Sequence, residues 1–135
     1  MHVRAGLLLV VAVLAAGTAA ATPASSASTP PSRLVSAREF ARVVAQFGVV
    51  TINVLGPGAP YVAGTDLMIR ADQLAASRAK LPPKTTELAV YCWSGHTSAR
   101  AVRILRTLGY RHIVELRGGM LAWHAAGLPL LGPTG

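Results

Sequence analysis

The 135-residue chain holds one cysteine, Cys92. A single thiol cannot close an intramolecular disulfide or build a cysteine-based metal cluster, so it is either buried and inert or it reacts. No residue pattern asks for a metal or a cofactor. Aromatic residues are scarce, with two Trp, three Tyr and two Phe, so the core is left to Val, Leu, Ile and Ala. Acidic residues are scarcer still: five against thirteen Lys and Arg, a net charge of +8. Such a balance suits an anionic substrate, a membrane surface or nucleic acid. The basic residues are mostly single arginines spread along helical stretches. Without a Lys/Arg run, stacking aromatics or zinc spacing, nucleic acid is not the partner. The length suffices for one small domain and not for two.

There is also no apolar run of membrane-spanning length. Residues 5–16 form an apolar segment of 12, preceded by His2 and Arg4 and followed by small residues. A span needs about 20 residues. Residues 1–21 therefore read as an export signal, with an A-x-A-like cut at Thr18-Ala19-Ala20 or Ala19-Ala20-Ala21. An uncleaved anchor is the alternative. No cysteine near the cut supports a lipoprotein, and no Arg-Arg pair supports the twin-arginine route. Residues 22–32 contain only Ala, Ser, Thr and Pro, a linker that cannot bury a core. The folded domain is expected over 33–135, in a protein that is periplasmic, secreted or held at the cell surface.

Leu34-Val35 makes a short first strand. Ser36 and Glu39 form a capping box for a helix over 37–47, whose apolar residues Phe40, Val43, Val44 and Phe47 share one side. Residues 49–55 are nearly all apolar and β-branched, which marks a central parallel strand. Residues 56–60, rich in Gly and Pro, are irregular. A short strand follows at 67–69, then a helix over 73–80 capped by Asp72 and stopped by Pro82-Pro83. Residues 88–91 make a buried strand, 99–108 a helix, 113–116 a last strand and 120–126 a short helix. Strands alternating with helices across short loops predict an α/β fold: a small parallel sheet of four to five strands with helices on both faces.

The single cysteine falls on the turn between the strand at 88–91 and the following helix. Main-chain N–H groups converge at such a turn, which collects anions and stabilises a thiolate. Tyr91 leads into Cys92, and Trp93, Ser94, Gly95, His96, Thr97 and Ser98 follow. No base lies beside Cys92 in sequence, so activation falls to the N–H groups and the helix dipole. A loop whose amides all face inward needs one unusual φ, which Gly95 supplies. Thr97 or Ser98 can cap the helix and offer a hydroxyl to an anion. His96 either binds anion or faces solvent. Trp93 either packs on an acceptor or partner, or rests as a lid on neighbouring loops. Arg100, in the first helical turn, steers anions. Arg103 and Arg106 continue its stripe as a solvated face. Trp123 is expected in the core, and Asn53 and Asp66 in structural roles.

The run Cys92-x-x-Gly95-x-x-Ser98, then Gly109-Tyr110, Val114-x-x-Leu116-x-Gly118-Gly119, Ala122-Trp123 and Ala126-Gly127-x-Pro129 resembles a rhodanese domain. The resemblance covers about 49–130. It implies a sulfurtransferase in which Cys92 takes a sulfane sulfur from a donor such as thiosulfate. The cysteine holds that sulfur as a persulfide and passes it to a thiol or cyanide. The backbone of Trp93 to Ser98 would cradle the substrate anion. Two places that often hold arginine in the family carry Trp93 and Thr97 here. Asn53-Val54-Leu55 replaces the usual Asp-Val-Arg, and the His-Ile-Pro-Gly-Ala step is missing. These departures motivate an alternative, a rhodanese-like module that binds a partner through the 92–98 loop without catalysis. A phosphatase or arsenate reductase needs Arg where Ser98 stands. A basic membrane-surface protein without enzymology is a further alternative. The expected partners are a small anionic sulfur donor and a thiol acceptor, with possible membrane-surface association, and the chain is expected to be a monomer.

Overall fold

The computed structural model describes residues 12, 15–20 and 32–133. The expected leader, 1–21, and linker, 22–32, lie outside these residues apart from those few positions. Among the described residues no helix is long and apolar enough to cross a membrane.

Five strands form one parallel sheet: β1 (Arg33–Val35), β2 (Val50–Asn53), β4 (Leu67–Met68), β5 (Leu88–Tyr91) and β6 (Ile113–Leu116). Their spatial order is β1-β6-β5-β2-β4. β5 lies at the centre, with Leu88 opposite Val50 on one side and Ile113 on the other. All four of its residues are buried, as are all four of β6. A strand covered on both faces has no solvent side to keep polar, so β5 reads as a continuous apolar run.

Side chains alternate between the two faces. Leu88, Val90 and Cys92 pack with Ala101, Val102 and Leu105 of α2 (His96–Thr107). Ala89 and Tyr91 pack on the other face with Phe40 and Val43 of α1 (Ala37–Val44) and Met120 and Trp123 of α3 (Gly119–Ala125). Phe40 meets the Tyr91 and Trp123 rings edge-on, with centroids 5.9 and 6.3 Å away. Trp123 is thus a core residue, and its Nε1 donates to Pro129 O at 2.9 Å. The α/β architecture, with a five-stranded parallel sheet and helices on both faces, is the one anticipated.

Several local expectations need correction. α1 ends at Val44, so Phe47 leaves the apolar side of the wheel and is fully exposed. Ser36 Oγ accepts the Glu39 N–H at 3.3 Å, but the Glu39 carboxylate is drawn to Arg33, 3.2 Å away, instead of returning to the cap. No regular helix covers 73–80. Two single 3-10 turns stand there, Ala71–Gln73 and Arg78–Lys80. Ala71 and Leu74 anchor that segment, while most residues around them are exposed, and the Asp72 carboxylate is held by Arg70 rather than capping. Two further short strands, β3 (Tyr61–Val62) and β7 (Leu130–Leu131), pair antiparallel outside the main sheet. Tyr91 ties β3 to the centre: its hydroxyl accepts the Val62 N–H at 2.9 Å and lies 2.6 Å from Thr65 Oγ1. The structural roles expected for Asn53 and Asp66 are also seen. Asn53 bridges Pro60 O and Leu55 N, and Asp66 Oδ2 accepts the Thr51 N–H.

Candidate active site

The turn from β5 into α2 carries Cys92, the sole cysteine, as a free thiol. Gly95 is the N-cap of α2 with φ 104°, a left-handed conformation that side-chain-bearing residues avoid. The turn through Trp93 and Ser94 brings Gly95 N to 3.0 Å from Cys92 Sγ, donating its hydrogen to the sulfur. The left-handed glycine is as the loop requires.

A neighbouring helix aims the other amides. Met120 N donates to Cys92 O at 2.9 Å and Leu121 N to Trp93 O at 3.1 Å. A trans peptide points its N–H opposite its carbonyl. Holding those two carbonyls toward α3 therefore turns the N–H groups of Trp93 and Ser94 away from it. At the head of α2, His96, Thr97 and Ser98 supply the donors that a helix start always leaves over. The amides of Trp93, Ser94, His96, Thr97 and Ser98 reach no acceptor among the described residues.

The sulfur itself is less open than the sequence suggests. Cys92 is only 1% exposed. It continues the alternation of Leu88 and Val90 and belongs to the apolar cluster under α2. The site is a sulfur beneath a turn, not a sulfur on a surface. Among the described residues, three grooves border the turn, and Cys92 lines none of these three. The largest, about 640 Å³, is apolar and lies between Trp93, Met120, Leu121, Leu128 and Leu130. Trp93, 44% exposed, forms one of its walls. A second, about 270 Å³, joins Thr97 and Arg100 to Arg70 and Asp72. A third, about 490 Å³, is lined by Ser94, Gly95, His96, Arg103, Glu115 and Arg117.

The expected site residues therefore divide. Cys92 and Gly95 are in contact. Ser94 Oγ lies 3.2 Å from His96 Nδ1, on the exposed rim. Arg100 stands one turn into α2, in the groove it shares with Thr97, Arg70 and Asp72. The side chains of Thr97 and Ser98 do not cap α2, whose cap is Gly95 itself. Nor is Ser98 free to meet an anion through its hydroxyl. It is fully buried, with Oγ 3.1 Å from Gly95 O and 2.9 Å from Glu115 Oε1. Alternation turns its partner inward, since Glu115 pairs in register with Val90 on the α2 face.

Glu115 is the residue that sequence patterns leave out. It is 7% exposed, and burial pushes its carboxyl above the ordinary carboxylate range, opposed by the Ser98 hydroxyl and the charge of Arg103. The signal was one acid inside the apolar strand Ile113-Val114-Glu115-Leu116, read only as strand.

Residues 29–126 match the family model for the rhodanese-like domain. A sulfurtransferase of Allochromatium vinosum is 42% identical over 53 residues, which are 39% of this chain and 50% of that protein. The chain thus spans half the length of that relative. A rhodanese-related protein from Thermoplasma volcanium superposes with TM-score 0.62 at 25% identity, covering 73% of this chain and 97% of the other. The rhodanese-like domain of an Anabaena protein superposes with TM-score 0.64 at 24% identity, covering 74% and 79%, and shares the fold.

Proposed function

The chain belongs to the rhodanese-like domain family, and from that membership we propose a sulfurtransferase that carries sulfur on Cys92. The observation that carries the proposal is the Cys92 sulfur under the Gly95 N–H at 3.0 Å, on a loop whose amides at Trp93, Ser94, His96, Thr97 and Ser98 have no protein acceptor among the described residues. Thiolate is the reactive form, and N–H donors with a helix N-terminus favour negative charge at the site.

In the first half-reaction the Cys92 thiolate attacks the outer sulfur of a donor such as thiosulfate. A new S–S bond forms, the donor's S–S bond breaks, and sulfite leaves with the bonding electron pair. In the second, a thiolate or cyanide attacks the outer persulfide sulfur. The Cys92–S bond breaks and its electron pair returns to Cys92 as thiolate. The amides around the sulfur would hold first the donor's anionic end and then the charged outer sulfur. Arg100 would steer the donor toward the loop. Trp93 and the apolar groove beside it would receive the acceptor.

Sulfite release from thiosulfate, compared with Cys92→Ser, tests this. The variant is expected to lose at least about a thousandfold in rate, the usual scale for removing a nucleophile. Equal rates would end the proposal.

A second function is favoured by one observation, the burial of Cys92 beside an exposed Trp93. It is a binding module that takes a partner on the loop without sulfur chemistry. A mass increase of one sulfur on Cys92 after incubation with a sulfane donor would exclude it. We also propose export, on the strength of the apolar segment 5–16 and the small residues after it. The intact mass of protein recovered from its host would locate the mature N-terminus. An uncut chain would refute cleavage.

A further inference from the structure

The Ser98 hydroxyl has one proton and two acceptors. Its Oγ lies 3.1 Å from Gly95 O and 2.9 Å from Glu115 Oε1, in a place with no solvent access. A carbonyl oxygen brings no proton. Both contacts are full hydrogen bonds only if the carboxyl supplies the second hydrogen. The donors then run in one direction, from Glu115 to Ser98 Oγ and from Ser98 Oγ to Gly95 O. From the same glycine the N–H goes to Cys92 Sγ at 3.0 Å. The Gly95 carbonyl shares its peptide plane with the His96 N–H and is joined to the Gly95 N–H through that residue's own φ and ψ, so the bond acts on the Gly95 N–H through the left-handed turn.

The surroundings favour the neutral acid. Beside Glu115 in the sheet stand Val90 of β5 and Leu34 of β1, neither of which titrates. α2 brings His96 and Arg103 to the same groove, the turn after β6 brings Arg117, and Cys92 follows β5. Neither Arg103 nor Arg117 forms an ion pair with Glu115 among the described residues. Burial raises the carboxyl's pKa.

We propose that Glu115 is a positioning residue for the sulfur loop, locking the Ser98 hydroxyl onto the Gly95 carbonyl as the neutral acid and releasing it on ionisation. When the proton leaves to the groove, the Ser98 hydrogen turns to the carboxylate. The Gly95 carbonyl keeps only the Ala99 N–H, 3.2 Å away. A fixed negative charge then stands behind the thiolate. The inference deepens the sulfurtransferase proposal and rests on it for its effect on turnover, while its geometry stands apart from that proposal.

The test uses the full chain and two readouts that need no sulfur transfer. One is the Gly95 amide signal in ¹H–¹⁵N spectra across pH, beside the Glu115 side-chain carboxyl carbon. The other is alkylation of Cys92 by iodoacetate, followed by intact mass. In the wild type, the Gly95 amide and the Glu115 carboxyl are expected to show a shared midpoint. Separate midpoints, with no Gly95 step at that of Glu115, overturn the proposal even if no variant folds. In Glu115→Gln the carboxamide donates to Ser98 at every pH. The Gly95 step should vanish, and alkylation above it should run about threefold faster than wild type, a fraction of the tenfold that one pKa unit makes. Glu115→Ala lacks the donor and should differ from the Gln variant in its Gly95 amide position and exchange rate. Identical Gln and Ala profiles overturn positioning. Loss of thiosulfate turnover with the Gly95 step intact would overturn the sulfurtransferase proposal and support this one.

Discussion

Two turns on adjacent strands invite comparison. One leads from β5 into α2 and the other from β6 into α3. Each helix is capped by a left-handed glycine without a capping side chain, Gly95 at φ 104° and Gly118 at φ 74°. The two glycines nearly touch, since a Cβ on Gly95 would lie 3.6 Å from Gly118 N. Yet only the first has the makings of a site. α3 spends its leading donors, Met120 N and Leu121 N, on the carbonyls of Cys92 and Trp93. α2 keeps those of His96, Thr97 and Ser98 free of protein acceptors among the described residues. A helix N-terminus becomes a binding site only when its donors are left over, and here α3 turns the N–H groups of Trp93 and Ser94 away from itself beside the leftover donors of α2.

The largest expected effect comes from breaking the contact between the two turns. A Cβ on Gly119 would stand 2.5 Å from Trp93 O and 2.6 Å from Cys92 O, both main-chain atoms with no room to yield. Gly119→Ala should cost about 3 kcal/mol in urea unfolding, combining overpacking with a left-handed alanine. It should also change the rate at which Cys92 is alkylated. An unchanged rate would mean that α3 does not orient the cysteine turn.

Gly95→Ala should cost less, about 1–2 kcal/mol, because only its φ resists and the space beside it is ordinary contact distance. Equal costs for the two glycines would erase the distinction between a packed turn and an open one.

A smaller effect is expected from Glu115, the buried acid behind the first turn. Its folded pKa lies above its unfolded one, because burial favours the neutral form. The stability this gives is complete below the ordinary carboxylate value near 4.5 and is lost as pH rises through the folded value. Glu115→Gln should therefore unfold at higher urea than wild type at neutral pH, with the advantage disappearing in acid. A gain that persists in acid would point to packing instead of charge.

The smallest effect is spectroscopic. Titration with thiosulfate should shift the amides of Trp93, Ser94, His96, Thr97 and Ser98 and leave those of Met120 and Leu121 in place. Movement of both sets alike would show the two helix starts to be equivalent.

Much of this arrangement is legible in the residues. The continuous apolar run Leu88-Ala89-Val90-Tyr91 marks a strand buried on both faces, and a period near 3.6 marks α1 and α2. Ser36 announces its helix. Legibility fails where a side chain has two possible partners. Glu39 is chosen by Arg33 from β1 and Asp72 by Arg70, so a capping box and a helix start lose their second halves. Ser98 reads as a cap or an anion ligand until Glu115, seventeen positions on, takes its hydroxyl. Phe47 reads as core until α1 closes short of it.

From its sequence alone the chain determined the five strands of its main sheet and its three helices, the glycine at the cysteine turn, and the placing of one thiol at a helix start. These follow from local sterics and from side-chain period, which neighbouring residues settle among themselves. Only the tertiary structure decided which helix start keeps its donors, how deeply the sulfur lies and what the buried acid touches. Those depend on bonds between segments far apart in the chain, and such bonds leave no periodic trace in the order of residues.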